Sequence, residues 1–155
     1  MRSLYEEAWL PWEWHALLFE RARKHGLIPF SAAFDRESVD FLETLGVDRH
    51  KVASFELTDL PLIRYMASKG KPMILSTGMA TSAEIRAAMR AAGGELNVTL
   101  LACTSAYPAD ASDANLAGAH EGSNWGISDH SLGIGVAVAA TALGATYIEK
   151  HLTLK

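Results

Sequence analysis

Two histidines end two short apolar runs late in the chain, and their type and spacing make them the first candidates for chemistry. The runs are Trp125-Gly126-Ile127-Ser128-Asp129-His130 and Ala145-Thr146-Tyr147-Ile148-Glu149-Lys150-His151, separated by an Ala/Val/Gly-rich stretch from Leu132 to Leu143 long enough for one helix. Strand, helix, strand is a βαβ unit, so the runs are expected to lie parallel with a right-handed crossover. Neighbouring strands sit about 4.8 Å apart. Parallel α/β sheets gather ligands at the carboxyl ends of their strands, where both histidines fall. Two imidazoles at that spacing can share one divalent ion. On spacing alone the plainer reading, two ordinary loop histidines, stands beside it, and the rest of the chain must decide. Strand parity adds a distinction. Ser128 and His130 share one face, as do Glu149 and His151, while Asp129 and Lys150 point to the other and suit structural bonds.

The elements that would position these groups can be read in order. Pro11 opens a helix reaching about His25, with Trp14, Leu17, Leu18 and Ala22 as its apolar stripe. Leu27-Ile28-Pro29-Phe30 reads as a short buried strand. Asp35 caps a helix that turns Ser38, Phe41, Leu42 and Leu45 inward and stops at Gly46. Lys51 to Ser54 is a strand, and the helix after Thr58 and Asp59 buries Leu62, Ile63 and Met66. Pro72 to Ser76 is a strand. Thr81 and Glu84 form a capping box for a helix with Ile85, Ala88, Met89 and Ala92 inside. Val98 to Ala102 is a strand, and from Ala109 to Asn124 the pattern leaves room for only about one or two helical turns.

Six strands alternating with helices predict an α/β fold with a parallel sheet, its strands apolar throughout because both faces are covered. A closed (βα)8 barrel takes about 250 residues and eight units. Gly133-Ile134-Gly135 lacks the third glycine of a dinucleotide fingerprint and fits close helix packing better. The six strand ends carry Ser31; Lys51 and Ser54; Ser76 and Thr77; Thr104 and Ser105; Ser128 and His130; Glu149 and His151. Hydroxyls and an ammonium suit a phosphate or carboxylate. Singly, each serine is as well explained as a turn residue. A lysine opening an apolar strand, however, needs an anionic partner if it points inward. Together they favour a small anionic substrate. His15, His25, His50 and His120 sit in expected helix or loop positions and read as solvated or locally bonded.

With 155 residues, a formal charge of −4 and 49% hydrophobic residues, the chain has no basic surplus for nucleic acid. Its single cysteine, Cys103, excludes an internal disulfide framework and suits the cytoplasm. No apolar run approaches the roughly 18 residues a membrane span needs. Met1 to Glu7 is unlike a signal peptide.

Read together, these segments resemble the sialic acid synthase (NeuB) family, the nonulosonic acid synthases. The resemblance rests on Lys51-Val52-Ala53-Ser54-Phe55-Glu56, Gly70 through Met79, Cys103-Thr104-Ser105-Ala106-Tyr107-Pro108, Ser128-Asp129-His130-Ser131-Leu132-Gly133 and Gly144 through Leu152, in family order along nearly the whole chain. Pro11-Trp12-Glu13-Trp14-His15 is closest to the pseudaminic acid synthase branch. The resemblance implies an aldolase-type TIM (βα)8 barrel that condenses phosphoenolpyruvate with an open-chain N-acetylated hexose derivative, releasing phosphate. It implies that His130 and His151 hold a divalent metal, Mn2+ or Mg2+. Lys51, Ser54, Ser76, Ser105 and Ser128 match positions that hold phosphoenolpyruvate, and Glu149, His151 and Lys51 match catalytic surroundings.

Departures are as specific. Ser31-Ala32-Ala33-Phe34 stands where the family has Ser-Thr-Pro-Phe, and the stretch from Leu116 to Ser128 is short, so one barrel helix is expected to be stunted. Residues 1–155 resemble a single incomplete barrel domain, the third through eighth strands. The first two βα units and the C-terminal antifreeze-like domain of family members, which pair as homodimers, have no counterpart in it. Two expectations follow: a synthase whose barrel needs further strands, or an inactive, incomplete piece with no turnover in isolation.

Overall fold

The computed structural model describes residues 9–118 and 124–153. Helices α1 (Trp12–Lys24) and α2 (Arg36–Thr44) precede strand β1 (His50–Val52). The chain then alternates α3 (Leu60–Ala67), β2 (Met73–Ser76), α4 (Ser82–Ala91), β3 (Val98–Cys103), β4 (Trp125–Asp129), α5 (Gly135–Ala142) and β5 (Tyr147–Lys150). All strand pairs are parallel, in the order β1-β2-β3-β4-β5. Between β3 and β4 the described chain makes only 3-10 turns, Ala111–Ala114 and Leu116–Gly118, where an α-helix would complete the alternation.

Local chemistry starts the helices where the sequence says. Asp35 accepts the Ser38 N–H at 2.6 Å to begin α2, and Asp59 accepts that of Leu62 at 3.0 Å to begin α3, with Pro61 in its first turn. Thr81 and Glu84 close a reciprocal capping box on α4. The strands' outward residues Val52, Met73, Leu75 and Val98 pack on Val39, Leu42, Leu62, Ile63, Met66 and Ala88, forming one buried layer beneath α2, α3 and α4. A second cluster sets Trp125 and Ile127 against Val136 and Ala140 of α5. The alternate residues, Lys51, Ser76, Ser128 and Glu149 among them, face the concave side.

That side is strongly curled. A flat sheet would hold β1 and β5 about 19 Å apart, four strand spacings. Instead the Arg49 guanidinium donates to the Tyr147 hydroxyl at 3.1 Å, and Lys51 Nζ lies 3.6 Å from Glu149 Oε2. Strands four apart stand on opposite sides of an eight-stranded barrel, whose interior side chains just fill. The sheet is therefore an arc of such a barrel. Gly126 leaves room for its neighbours on the concave side: a Cβ there would overlap the Tyr147 carbonyl and lie 2.9 Å from Leu101 Cδ2.

Two expectations need correction. Leu27 to Phe30 forms no strand; Leu27 and Ile28 are 63% and 60% exposed, and pairing shrinks to one bridge between Ala32 and Lys51. Pro29 has no N–H to give a ladder, and the segment has a neighbour on one side only. The sheet thus has five strands rather than six. In α1 the face turned to the protein is His15, Phe19 and Ala22, not Trp14, Leu17 and Leu18, which are exposed. Phe41 of α2 decides this by stacking on Trp12 at 4.5 Å and meeting His15 edge-on at 5.4 Å. Among the described residues, no helix is long and apolar enough to cross a membrane.

Candidate active site

The carboxyl ends of the strands carry a connected polar network on the concave side. Lys51, only 7% exposed, donates from Nζ to Ser76 Oγ at 2.9 Å and faces Glu149 across the arc. Ser128 donates its hydroxyl proton to Glu149 Oε1 at 2.6 Å, and its oxygen lies 3.2 Å from His130 Nε2. His130 Nδ1 lies 2.8 Å from the Thr104 carbonyl oxygen. A carbonyl only accepts, so Nδ1 carries the proton; in the neutral ring Nε2 then keeps its lone pair, because the one Ser128 proton is taken by Glu149. Five of the residues singled out by sequence, on four different strands or their ends, thus meet in one chain of contacts.

His151 joins through its ring, 5.5 Å from that of His130 between centroids. Tyr107 completes the group, 4.0 Å from the His130 ring and 5.6 Å from that of His151. Tyr107 is largely exposed, yet partial desolvation, with the nearby Cys103 and Glu149, moves its phenol further above a pKa already well over neutral pH. Ser54 joins this chain through Cys103, its hydroxyl 3.7 Å from Cys103 Sγ and that sulfur 3.9 Å from His130 Nδ1, and Ser105 meets Ser54 around Gly78. At Gly78, with φ +39°, a Cβ would lie 2.5 Å from Ser54 Cβ and 3.1 Å from Ser105 Oγ. The loops after β1, β2 and β3 close together only because that residue has no side chain.

Outside the concave face, Asp129 and Lys150 make the structural pair that parity predicts. Lys150 Nζ donates to Asp129 Oδ2 at 2.7 Å and to the Ser131 carbonyl at 2.8 Å. Asp129 Oδ1 accepts the Ser131 N–H and hydroxyl at 2.9 and 2.6 Å. Burial pushes this carboxyl upward, but the Lys150 and Ser131 hydrogen bonds outweigh it and hold the pKa below the usual 3.8. These bonds pin both residues flanking His130.

Sequence reasoning placed one histidine wrongly and missed two partners. His50 is a strand residue 1% exposed, with Nε2 3.0 Å from Glu43 Oε1 but not aligned for a hydrogen bond. It starts β1 on the convex side, so the helix packed there covers it. His15 is locally bonded, to the Pro11 carbonyl, and His120 lies outside the described residues. The missed residues are Tyr107 and Glu56, while Thr104 was expected at the rim for its hydroxyl and serves through its backbone carbonyl. Tyr107 lies in the loop directly after a strand, a position that marks rim residues in barrels. Glu56 has a buried Oε2 without a hydrogen-bond partner, and burial raises its pKa. Among the described residues no three His, Cys, Asp or Glu side chains converge closely enough to hold an ion alone.

The arc and its rim define a (βα)-barrel protein with an anion-suited, histidine-bearing mouth. The NeuB family pattern matches residues 1–155, and the chain belongs to the NeuB family. It is 44% identical over 159 residues to the pseudaminic acid synthase of Helicobacter pylori, covering 98% of this chain and 47% of that protein. It is 42% identical over 151 residues to the N,N'-diacetyllegionaminic acid synthase of Legionella pneumophila, covering 90% and 42%. The crystal structure of the N-acetylneuraminic acid synthetase from Leptospira borgpetersenii, solved with citrate, superposes with a TM-score of 0.88 at 33% identity, over 94% of this chain and 53% of that one. The chain therefore spans about half the length of the relatives it matches.

Proposed function

We propose that this chain forms most of the active mouth of a nonulosonic acid synthase that condenses phosphoenolpyruvate with an open-chain N-acetylated hexose derivative. The observation that carries the reading is the network Ser76–Lys51–Glu149–Ser128–His130, ending at a second histidine. Lys51 supplies the positive charge for the carboxylate or phosphate of phosphoenolpyruvate, and Ser76 and Ser128 flank it with hydroxyls. Ser54 and Ser105, drawn together around Gly78, add further hydroxyl donors to the rim. Glu149 accepts the Ser128 hydrogen bond and is the base placed to receive a proton from water.

The same residues fit a divalent metal such as manganese or magnesium. His130 has its Nδ1 proton committed to a backbone carbonyl, the arrangement that frees Nε2 to ligate and fixes the ring. His151 is the second donor, and two protein ligands leave positions open for substrate. Such an ion, when bound, supplies Lewis acidity toward the aldehyde oxygen of the sugar. The enol carbon of phosphoenolpyruvate attacks the aldehyde carbon, water adds at the phosphate-bearing carbon, and phosphate leaves with C–O cleavage. Nothing in the comparisons favours the reading of an inert piece; the two relatives described above are named as synthases.

The test is twofold. Manganese should raise the melting temperature of the chain, and His130→Ala or His151→Ala should each remove that rise. Phosphate release from phosphoenolpyruvate with N-acetylhexosamines, alone and with a supplied two-strand N-terminal segment, tests turnover. No release in either case, together with no manganese effect, would overturn the proposal.

A further inference from the structure

One step below the Lys51–Glu149 pair, a second contact spans the arc. Arg49 precedes Lys51 by two residues and Tyr147 precedes Glu149 by two, so the two contacts share the concave face and stand about 7 Å apart along the strands. In the lower one the Arg49 guanidinium donates from Nη1 to the Tyr147 hydroxyl at 3.1 Å. The interior layers of a barrel are ordinarily filled by bulky branched apolar side chains. The Arg49 side chain is 26% exposed, so most of it is taken from water, at a cost that filling space does not explain.

Both ends of this lower contact are stiff. Asp48 grips the guanidinium from behind, accepting from Nε at 2.9 Å and from Nη2 at 2.8 Å, which leaves Nη1 of the planar fork aimed across the arc. The Phe30 ring lies against the same group, 5.7 Å from Cζ. Tyr147 is a rigid ring on two rotatable bonds. The upper contact is soft by comparison. Lys51 ends a flexible four-carbon stem, and its 3.6 Å approach to Glu149 exceeds hydrogen-bond distance. Ser76 on the adjacent β2 holds Lys51 at 2.9 Å, and Ser128 on the adjacent β4 holds Glu149 at 2.6 Å. Each member is thus tied to its own side of the arc, and the gap between the sides is set elsewhere.

We propose that Arg49 and Tyr147 are positioning residues, a strut that holds β1 to β5 at the amino ends of the strands and so fixes the separation of Lys51 and Glu149 at the carboxyl ends. The inference rests on the synthase reading and deepens it, because that separation decides how much of the Lys51 charge an anion can claim. The strut acts through the pair and reaches no substrate itself.

Spin labels on exposed positions of α2 and α5, Glu37→Cys and Thr141→Cys in a Cys103→Ser background, read the span directly on the full chain. Tyr147→Phe keeps the ring and drops the hydroxyl; it should widen the label distance by about 5 Å, one strand spacing, as the sheet relaxes toward flat. Arg49→Lys keeps the charge without the fork and should do the same. The consequence for the site is read as a double-mutant cycle in the affinity for inorganic phosphate. Glu149→Gln should change that affinity about fivefold in the unchanged chain and less than about twofold beside Tyr147→Phe, where the pair is already parted. A label distance unmoved in either variant, or a Glu149→Gln effect of equal size in both backgrounds, would overturn the strut. No phosphate binding by the unchanged chain would instead undo the reading of the anion site, and the label distance alone would then decide the strut.

Discussion

Glu149 and Lys150 are neighbours in the chain, and each forms an ion pair with a residue of another strand, on opposite faces of the same sheet. Lys150 on the convex face meets Asp129 at 2.7 Å, and every polar atom of that cluster has a close partner. Glu149 on the concave face meets Lys51 at 3.6 Å, beyond good hydrogen-bond distance, and is half-buried at an open mouth. The outer pair is complete without a ligand. The inner pair is looser, and Lys51 is held besides by its 2.9 Å hydrogen bond to Ser76 Oγ. A tight buried pair fixes backbone; a longer one, whose members each bond a hydroxyl at the rim, leaves charge that a ligand can compete for.

Removing the outer pair gives the largest expected effect. Asp129→Ala strands Lys150 and leaves the Ser131 N–H without its acceptor, at a cost of about 3 kcal/mol. Urea midpoints measure it. Because the folded pKa of Asp129 lies below 3.8, its contribution is fully present above that value and is lost as pH falls through the folded pKa. The gap between the two proteins should therefore be full at pH 7 and narrow below about pH 4. A gap that persists unchanged at low pH would mean the side chain acts by packing rather than by charge.

Removing the inner pair should do the reverse. Glu149→Gln keeps shape and an acceptor for Ser128, so stability should change by less than about 1 kcal/mol. Lys51 then loses its internal competitor, and inorganic phosphate should bind about fivefold more tightly, the equivalent of about 1 kcal/mol. Weaker phosphate binding would show that Glu149 holds Lys51 in place for the anion instead of competing with it.

The comparison also marks what was legible in the sequence. Alternation along a strand is a local rule, so the opposite facing of Asp129 and Ser128, or of Lys150 and Glu149, could be read from four residues. Caps at Asp35, Asp59 and Thr81 were legible for the same reason: the hydrogen bonds span three residues. The contact between Lys51 and Glu149 was not, because it depends on how far the whole sheet curls. Nor was the turned face of α1, which one aromatic residue on another helix decides. Leu27 to Phe30 had the composition of a strand without the neighbour on both sides that makes one. Tyr107 was passed over because a loop shows no periodicity, and only the folded rim sets its ring against both histidines.

His50 offers the subtlest contrast with the rim histidines. It is buried beneath α2 with Glu43 beside Nε2, yet Lys71 Nζ already lies 2.8 Å from both Glu43 oxygens. Burial lowers the pKa of His50 below 6.5; Glu43 opposes this, while Lys71 and Lys69 add to it. The folded protein therefore holds His50 neutral in a range where the unfolded chain takes up a proton. Stability should fall as pH drops through 6.5 and level off below the folded pKa. Replacing the ring by an aliphatic group, His50→Leu, removes the titrating site and two buried nitrogens without hydrogen-bond partners. The urea midpoint of the unchanged chain should decline between pH 7.5 and pH 5.5 more than that of His50→Leu, with a manganese-induced rise in melting temperature the same in both. A steeper decline in the variant would mean that His50 is charged in the fold and paired with Glu43, reversing the sign of its contribution.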